Sequence, residues 1–222
     1  MRKLTNRRIR TAVLAAALAA TTSVMSAPAA AFAATATAAA GSAAQTAADD
    51  DPDDQGGPIS PGAGEGEEEV LTVAEDAQLT AAGYGAPIHR DDVMTRAKDW
   101  YARNVQYSGT GGAWDLNHGK TYRPDCSGFV SMAWKLKTSK TTWTLDDVSH
   151  VINWNDLLRG DAIVHEHDHA VLFDKWVDAD TKADFWVYEE GRPATDMNHR
   201  TIHVVDIRGD GFKPYRYDGI RK

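Results

Sequence analysis

Residues 161–176 read "DAIVHEHDHAVLFDKW". Two short runs rich in β-branched and aromatic residues, Ala162, Ile163, Val164 and then Ala170, Val171, Leu172, Phe173, flank the polar "HEHDH" of 165–169. The turn-forming "LLRGD" stands in front of the first run. Neither flank repeats its apolar residues at the three-to-four spacing of an amphipathic helix. The stretch therefore predicts a β-hairpin with a polar loop.

The neighbouring sequence extends that reading in both directions. Downstream, "DFWVYEE", "TIHVVDI" and "KPYRYDGI" are further strand-like runs separated by charged or Gly-containing turns. Upstream, "RDDVMTRAKDWYARNV" carries Val93, Met94, Ala97, Trp100 and Tyr101 at helical spacing with acids in its first turn, which predicts a helix over 91–104. A Gly-rich loop follows, and then "CSGFVSMAWKLK", with Phe129, Val130, Ala133, Trp134 and Leu136 on one side, predicts a second helix that Asp125 caps. Helices come first and strands afterwards. That order points to an α+β domain with N-terminal helices packed on an antiparallel sheet.

The chain of 222 residues is not folded domain throughout. Arg2, Lys3, Arg7, Arg8 and Arg10 precede the apolar "TAVLAAALAA", and Ala31, Phe32 and Ala33 make an A-x-A cleavage signal, so residues 1–33 are expected to be a secretory signal peptide. The apolar run falls well short of the roughly 20 residues a membrane-spanning helix needs, so no membrane span is expected in the mature chain. Residues 34–70, with "DDDPDD" and "GEGEEE", hold nine acids and almost nothing apolar, so they are expected to form a disordered acidic linker. Residues 71–87 are an extension of undecided structure, and 88–222 form the expected domain. Without the five basic residues of the signal the formal net charge goes from −8 to −13, and the nine acids of the linker carry most of that. No dense basic face is left that would suit nucleic acid.

The domain holds a single cysteine, Cys126, so an intramolecular disulfide is impossible. In an exported protein such a thiol is either buried and inert or kept for its reactivity. Cys126 falls at the head of the second predicted helix, where unpaired N–H groups and the helix dipole favour a thiolate. Small apolar residues also open buried helices, so spacing alone leaves nucleophile and core thiol both open.

The run "DCSGFV", followed by Gly160, Asp161, a strand, a turn and a His opening the next strand, resembles the NlpC-type cell-wall cysteine peptidases over roughly residues 88–220. The pieces "YRPDCSGFVSMAW" and "TDMNHRTI" look closest to exported proteins of high-GC Gram-positive bacteria. The resemblance implies a papain-like domain that hydrolyses peptide or amide bonds of peptidoglycan stem peptides, secreted or wall-associated, with no cofactor and no metal. Cys126 would be the nucleophile, His169 the general base, and a polar residue on the following strand would orient the imidazole. That strand offers Glu189 or Glu190; pleat alternation groups Glu189 with Phe185 and Val187, and Glu189 is the choice. Tyr107, in "VQYSGTGG", would map beside the active site, and Asp125 and Ser127 would border the substrate. Trp114, in the Gly-rich loop, could line a substrate groove. The sequence departs from the family pattern at Val171, where a Gly is usual, and in its acidic third residue.

Two other functions compete. "HEHDH" satisfies H-E-x-x-H, in which two histidines four apart on a helix hold zinc for a protease, with His199 or His203 as a distant third ligand. A hairpin loop makes His165 and His167 members of a merely His-rich turn instead. The chain could also be a secreted interaction module that keeps the fold without catalysis.

Overall fold

The computed structural model describes residues 66–221, all within the compact unit Asp50–Lys222. The expected signal peptide and most of the expected linker lie outside the described residues.

Helix α1 (Val73–Ala81) opens the described chain with a capping box, in which the Thr72 side chain accepts from Glu75 N–H while the Glu75 carboxylate accepts from Thr72 N–H. It buries none of its residues, so local capping rather than packing defines it. Strand β1 (Ile88–His89) leads into α2 (Arg90–Arg103), which buries Val93, Met94, Ala97 and Trp100 of the five residues whose spacing predicted it, while the fifth, Tyr101, is exposed. Asn104, in the left-handed region at φ 45°, ends the helix. The Gly-rich segment that follows carries only the short hairpin of β2 (Ala113–Trp114) and β3 (Thr121–Tyr122). Helix α3 (Cys126–Ala133) is then buried on every side.

The remaining elements build a six-stranded antiparallel sheet. Its strands are β4 (Ser149–Val151), β5 (Ala162–His165), β6 (His169–Trp176), β7 (Asp184–Glu190), β8 (Met197–His203) and β9 (Lys213–Tyr217), in spatial order β4-β9-β5-β6-β7-β8. Helix α4 (Val204–Gly209) lies between β8 and β9, and β10 (Ile220–Arg221) pairs in parallel with β1. The hairpin predicted at 161–176 is present: β5 and β6 pair with His165 opposite His169, and residues 166–168 turn between them with His167 at φ 72°. The protein is thus mixed α+β with an antiparallel sheet, as the order of helices and strands implied.

Two expectations need correction. Helices are not confined to the N-terminal side, because "VVDI" does not continue the strand before it. Val204 and Ile207 are buried three residues apart while Val205 is exposed, a helical spacing that β-branched composition disguised. Similarly, "KPYRYDGI" is not one strand but two, parted by a turn after Tyr217.

The sheet has apolar layers on both faces. Ala162, Val164, Ala170, Leu172 and Tyr188 pack with Val93, Trp100, Phe129, Val130 and Trp134 of the helical side. The alternate residues Ile163, Val171, Phe173, Phe185 and Val187 pack with Ile202, Ile207 and Phe212. Each large side chain buried here contributes about 1.5–3 kcal/mol. The indole N–H groups of two core tryptophans are paired: Trp134 Nε1–H donates to the Gly160 carbonyl at 2.9 Å, and Trp100 Nε1–H to that of Trp114 at 2.9 Å. Asp161, fully buried, sits between Arg90 at 2.8 Å and Arg216 at 2.7 Å, which gives the Gly160 and Asp161 pair a structural task at the start of β5.

Candidate active site

The start of α3 is built by "RPDCSG". Asp125, in extended backbone, caps the helix by accepting from the Gly128 N–H at 2.8 Å, as the sequence predicted. Its carboxylate also pairs with the Arg123 guanidinium, which reaches the Ser127 hydroxyl at 3.2 Å. Gly128 is demanded by space: a Cβ there would overlap the carbonyl oxygen of Arg123. The motif thus folds into a turn so tight that only a residue without a side chain fits, and Cys126 becomes the first residue of the helix. Its side chain is buried. Asp125 and Ser127, expected at the border of a substrate, are both fully buried, and the contacts just given are structural ones.

His169 and Glu189 meet. The imidazole Nε2 lies 2.8 Å from Glu189 Oε2, and both side chains are almost wholly buried. Arg200 holds the other carboxylate oxygen at 2.5 Å. It reaches Glu189 because β8 places it opposite Val187, on the face that Glu189 shares. Burial alone would raise the Glu189 pKa, but the hydrogen bond and charge of His169 and the charge of Arg200 outweigh it and hold the carboxyl at about 2. An ionised carboxylate accepts hydrogen bonds only, so Nε2 carries the proton in this pair and Nδ1 is left as the basic nitrogen. Nδ1 is buried without a hydrogen-bond partner.

Glu190 behaves differently. It lies on the opposite face of β7, beside Tyr188, fully buried, and neither carboxylate oxygen has a hydrogen-bond partner. Burial, with the charges of Asp196, Asp125 and Glu189, pushes its pKa up to about 9. It is therefore a neutral acid at neutral pH. The influence of Asp125 on Glu190 places the start of α3 close to the end of β7, and α3 packs against both β6 and β7.

The other sequence candidates are spread around this region. The Tyr107 N–H donates to Asp196 at 3.0 Å, which ties that segment to the turn after β7. Trp114 is half exposed and stacks on His118 with ring centroids 6.0 Å apart. In "HEHDH", His165 packs on Phe212 and His167 on Trp143, and His169 is engaged by Glu189. The motif is not helical, so its two outer histidines do not have the i, i+4 relation of the zinc-protease pattern. Among the described residues no group of three or more His, Cys, Asp or Glu side chains is placed to hold a metal ion. No helix among them is long and apolar enough to cross a membrane.

Arg200 and Arg123 were not found from the sequence, and Glu190 was named there only as the alternative to Glu189, without its neutral state. Arg200 depends on the register between β7 and β8, which no local pattern reports, whereas Arg123 stood two residues before Asp125 and was legible as a partner for it. Comparison with family models, curated proteins and solved structures gave no match.

Proposed function

We propose that the protein is a cysteine hydrolase of papain-like, NlpC-type architecture that cleaves peptide or amide bonds of peptidoglycan stem peptides. Cys126 is its nucleophile, His169 its general base and Glu189 the residue that orients the imidazole. The observation that carries the reading is the buried His169–Glu189 pair: it spends Nε2 on the carboxylate and reserves Nδ1 for a proton.

His169 is the first residue of β6, and Glu189 is the last but one of β7. The pair therefore stands at the strand ends. Helix α3, whose first residue is Cys126, packs against both of these strands, which supports bringing its thiol to the pair. Nδ1 takes the thiol proton as sulfur attacks the carbonyl carbon, and the same nitrogen returns the proton to the departing amine. Water then adds to the acyl-enzyme, with Nδ1 again as base, and releases the acid and Cys126. Glu189 stabilises the imidazolium formed in each half, and Arg200 keeps the carboxylate ionised and aimed. Backbone N–H groups at the start of α3 supply donors for the oxyanion.

The test is cleavage of soluble muropeptides, followed by mass spectrometry, by the wild type and four variants of unchanged far-UV circular dichroism. Cys126→Ala and His169→Ala should abolish turnover. Glu189→Gln should lose about 10 to 100-fold, because it keeps an acceptor but not the charge. His165→Ala should keep most activity. Full turnover in Cys126→Ala would end the cysteine-hydrolase reading, and equal, complete loss at His165 and His169 would be the pattern of two metal ligands.

A further inference from the structure

Residues 66–69, the end of the acidic "GEGEEE", lie against the domain instead of trailing from it. Glu69 is chelated by the Lys120 ammonium, with both carboxylate oxygens at 2.8 Å. Glu68 pairs with Lys140 at 2.6 Å, and the Glu67 carbonyl accepts from the Arg123 guanidinium at 2.8 Å. Lys120 and Arg123 are largely buried, so two of the three cations are recessed into a groove. Gly66 fits the same groove by shape: a Cβ there would overlap the Gly109 carbonyl and the Arg123 side chain. A cleft of ≈ 600 Å³ stays open alongside, between the loop at 109–112, Tyr122 and Ser139.

Three features make this more than a solvated charge pair. The cations come from three separate places in the chain, before β3, after β3 and after α3. They contact three consecutive residues of one segment, Glu67 through its backbone carbonyl and Glu68 and Glu69 through their side chains. Arg123, at the centre, also binds the Asp125 cap in front of Cys126. We propose that this groove is a binding site for an extended acidic peptide, occupied in cis by residues 66–69, so that the chain's own acids exclude an anionic peptide offered from outside. The inference stands beside the hydrolase reading and does not rest on it, because its measurement is binding.

The cis occupant has the advantage of effective concentration, reaching the millimolar range for short tethers, so an external peptide competes poorly until the segment is released. Release can be caused in two independent ways. Glu68→Gln with Glu69→Gln removes two charges, and Gly66→Ala removes none but adds a methyl group where there is no room.

The experiment is fluorescence anisotropy of a fluorescein-labelled peptide of residues 64–70, GEGEEEV, titrated with the full-length protein. The doubly substituted protein and the Gly66→Ala protein should each bind it at least about tenfold tighter than the wild type, the size expected from releasing two partly exposed ion pairs. A peptide with Gln at its last three acids should bind the released protein about tenfold more weakly than GEGEEEV. Adding Lys120→Gln and Lys140→Gln to the released protein should have the same effect. Should those lysine variants fail to fold, the Gln peptide still reads the same contacts. Equal affinity of wild type and both released proteins would overturn occupancy in cis, and indifference to the Gln peptide would overturn acid recognition.

Discussion

Glu189 and Glu190 are adjacent, both buried, and opposite in charge state. The strand pleat turns Glu189 toward His169 and Arg200 and turns Glu190 to the opposite face, where the charges of Asp196 and Asp125 act on it. Their effects on stability have opposite signs. Glu189 titrates lower in the folded protein than in the unfolded chain, so its contribution is present above about pH 4.5 and is lost as pH falls toward about 2. Glu190 titrates higher when folded, so its contribution is complete below about pH 4.5 and is lost as pH rises toward about 9. Glu190→Gln should therefore raise stability at neutral pH by about 3 kcal/mol and flatten the alkaline side of the melting curve. Melting temperatures of the two proteins measured every half unit from pH 5 to 9 would show this. Curves that stay parallel would mean that Glu190 is ionised in the fold.

Helix α3 is the element on which the rest depends. Its eight residues are all buried, and its first turn is pressed against the Arg123 carbonyl at Gly128. Gly128→Ala is expected to cost about 3 kcal/mol or more, because the obstruction is backbone and cannot swing aside. In a domain of this size that is a fall of roughly 10 °C in melting temperature. Equilibrium urea unfolding checks it, and a change below 1 kcal/mol would show that the turn before the helix relaxes. The same element explains how much of the site was readable. Asp125, Cys126 and Gly128 lie within four consecutive residues, and local hydrogen bonding fixes their relation. His169 and Glu189 lie twenty residues apart and meet only because β6 and β7 pair; pleat alternation grouped Glu189 with Phe185 and Val187, whereas its pairing with His169 was an expectation from the family resemblance. The strand assigned to "VVDI" failed because composition outweighed spacing there, and only burial of Val204 and Ile207 shows the helix.

At the scale of the whole molecule, the acidic segment does not end where the expected linker does. The expectation for 34–70 treated every residue as solvated, whereas 66–69 carry contacts to Lys120, Arg123 and Lys140. A protein beginning at Leu71 should melt about 3 °C below one beginning at Gly66, the effect of about 1 kcal/mol from two partly exposed ion pairs. The difference should shrink in high salt. Differential scanning calorimetry of the two proteins at low and high ionic strength measures it, and coincident transitions at low salt would leave the segment no part in stability.

The sequence by itself determined what is local or periodic: the helix over 91–104, the capped helix that Cys126 opens, the hairpin around "HEHDH", and the α+β order of elements. Hydrogen bonds within a few residues and the repeat of apolar side chains specify those features without reference to the rest of the chain. Only the tertiary structure decided that Arg200 clamps Glu189, that Glu190 is sealed in without a partner, and that residues 66–69 fill a groove of three cations. Each of these depends on strand register or on loops brought together from distant positions, and electrostatic energy depends on those distances and on the exclusion of water, which no stretch of sequence contains.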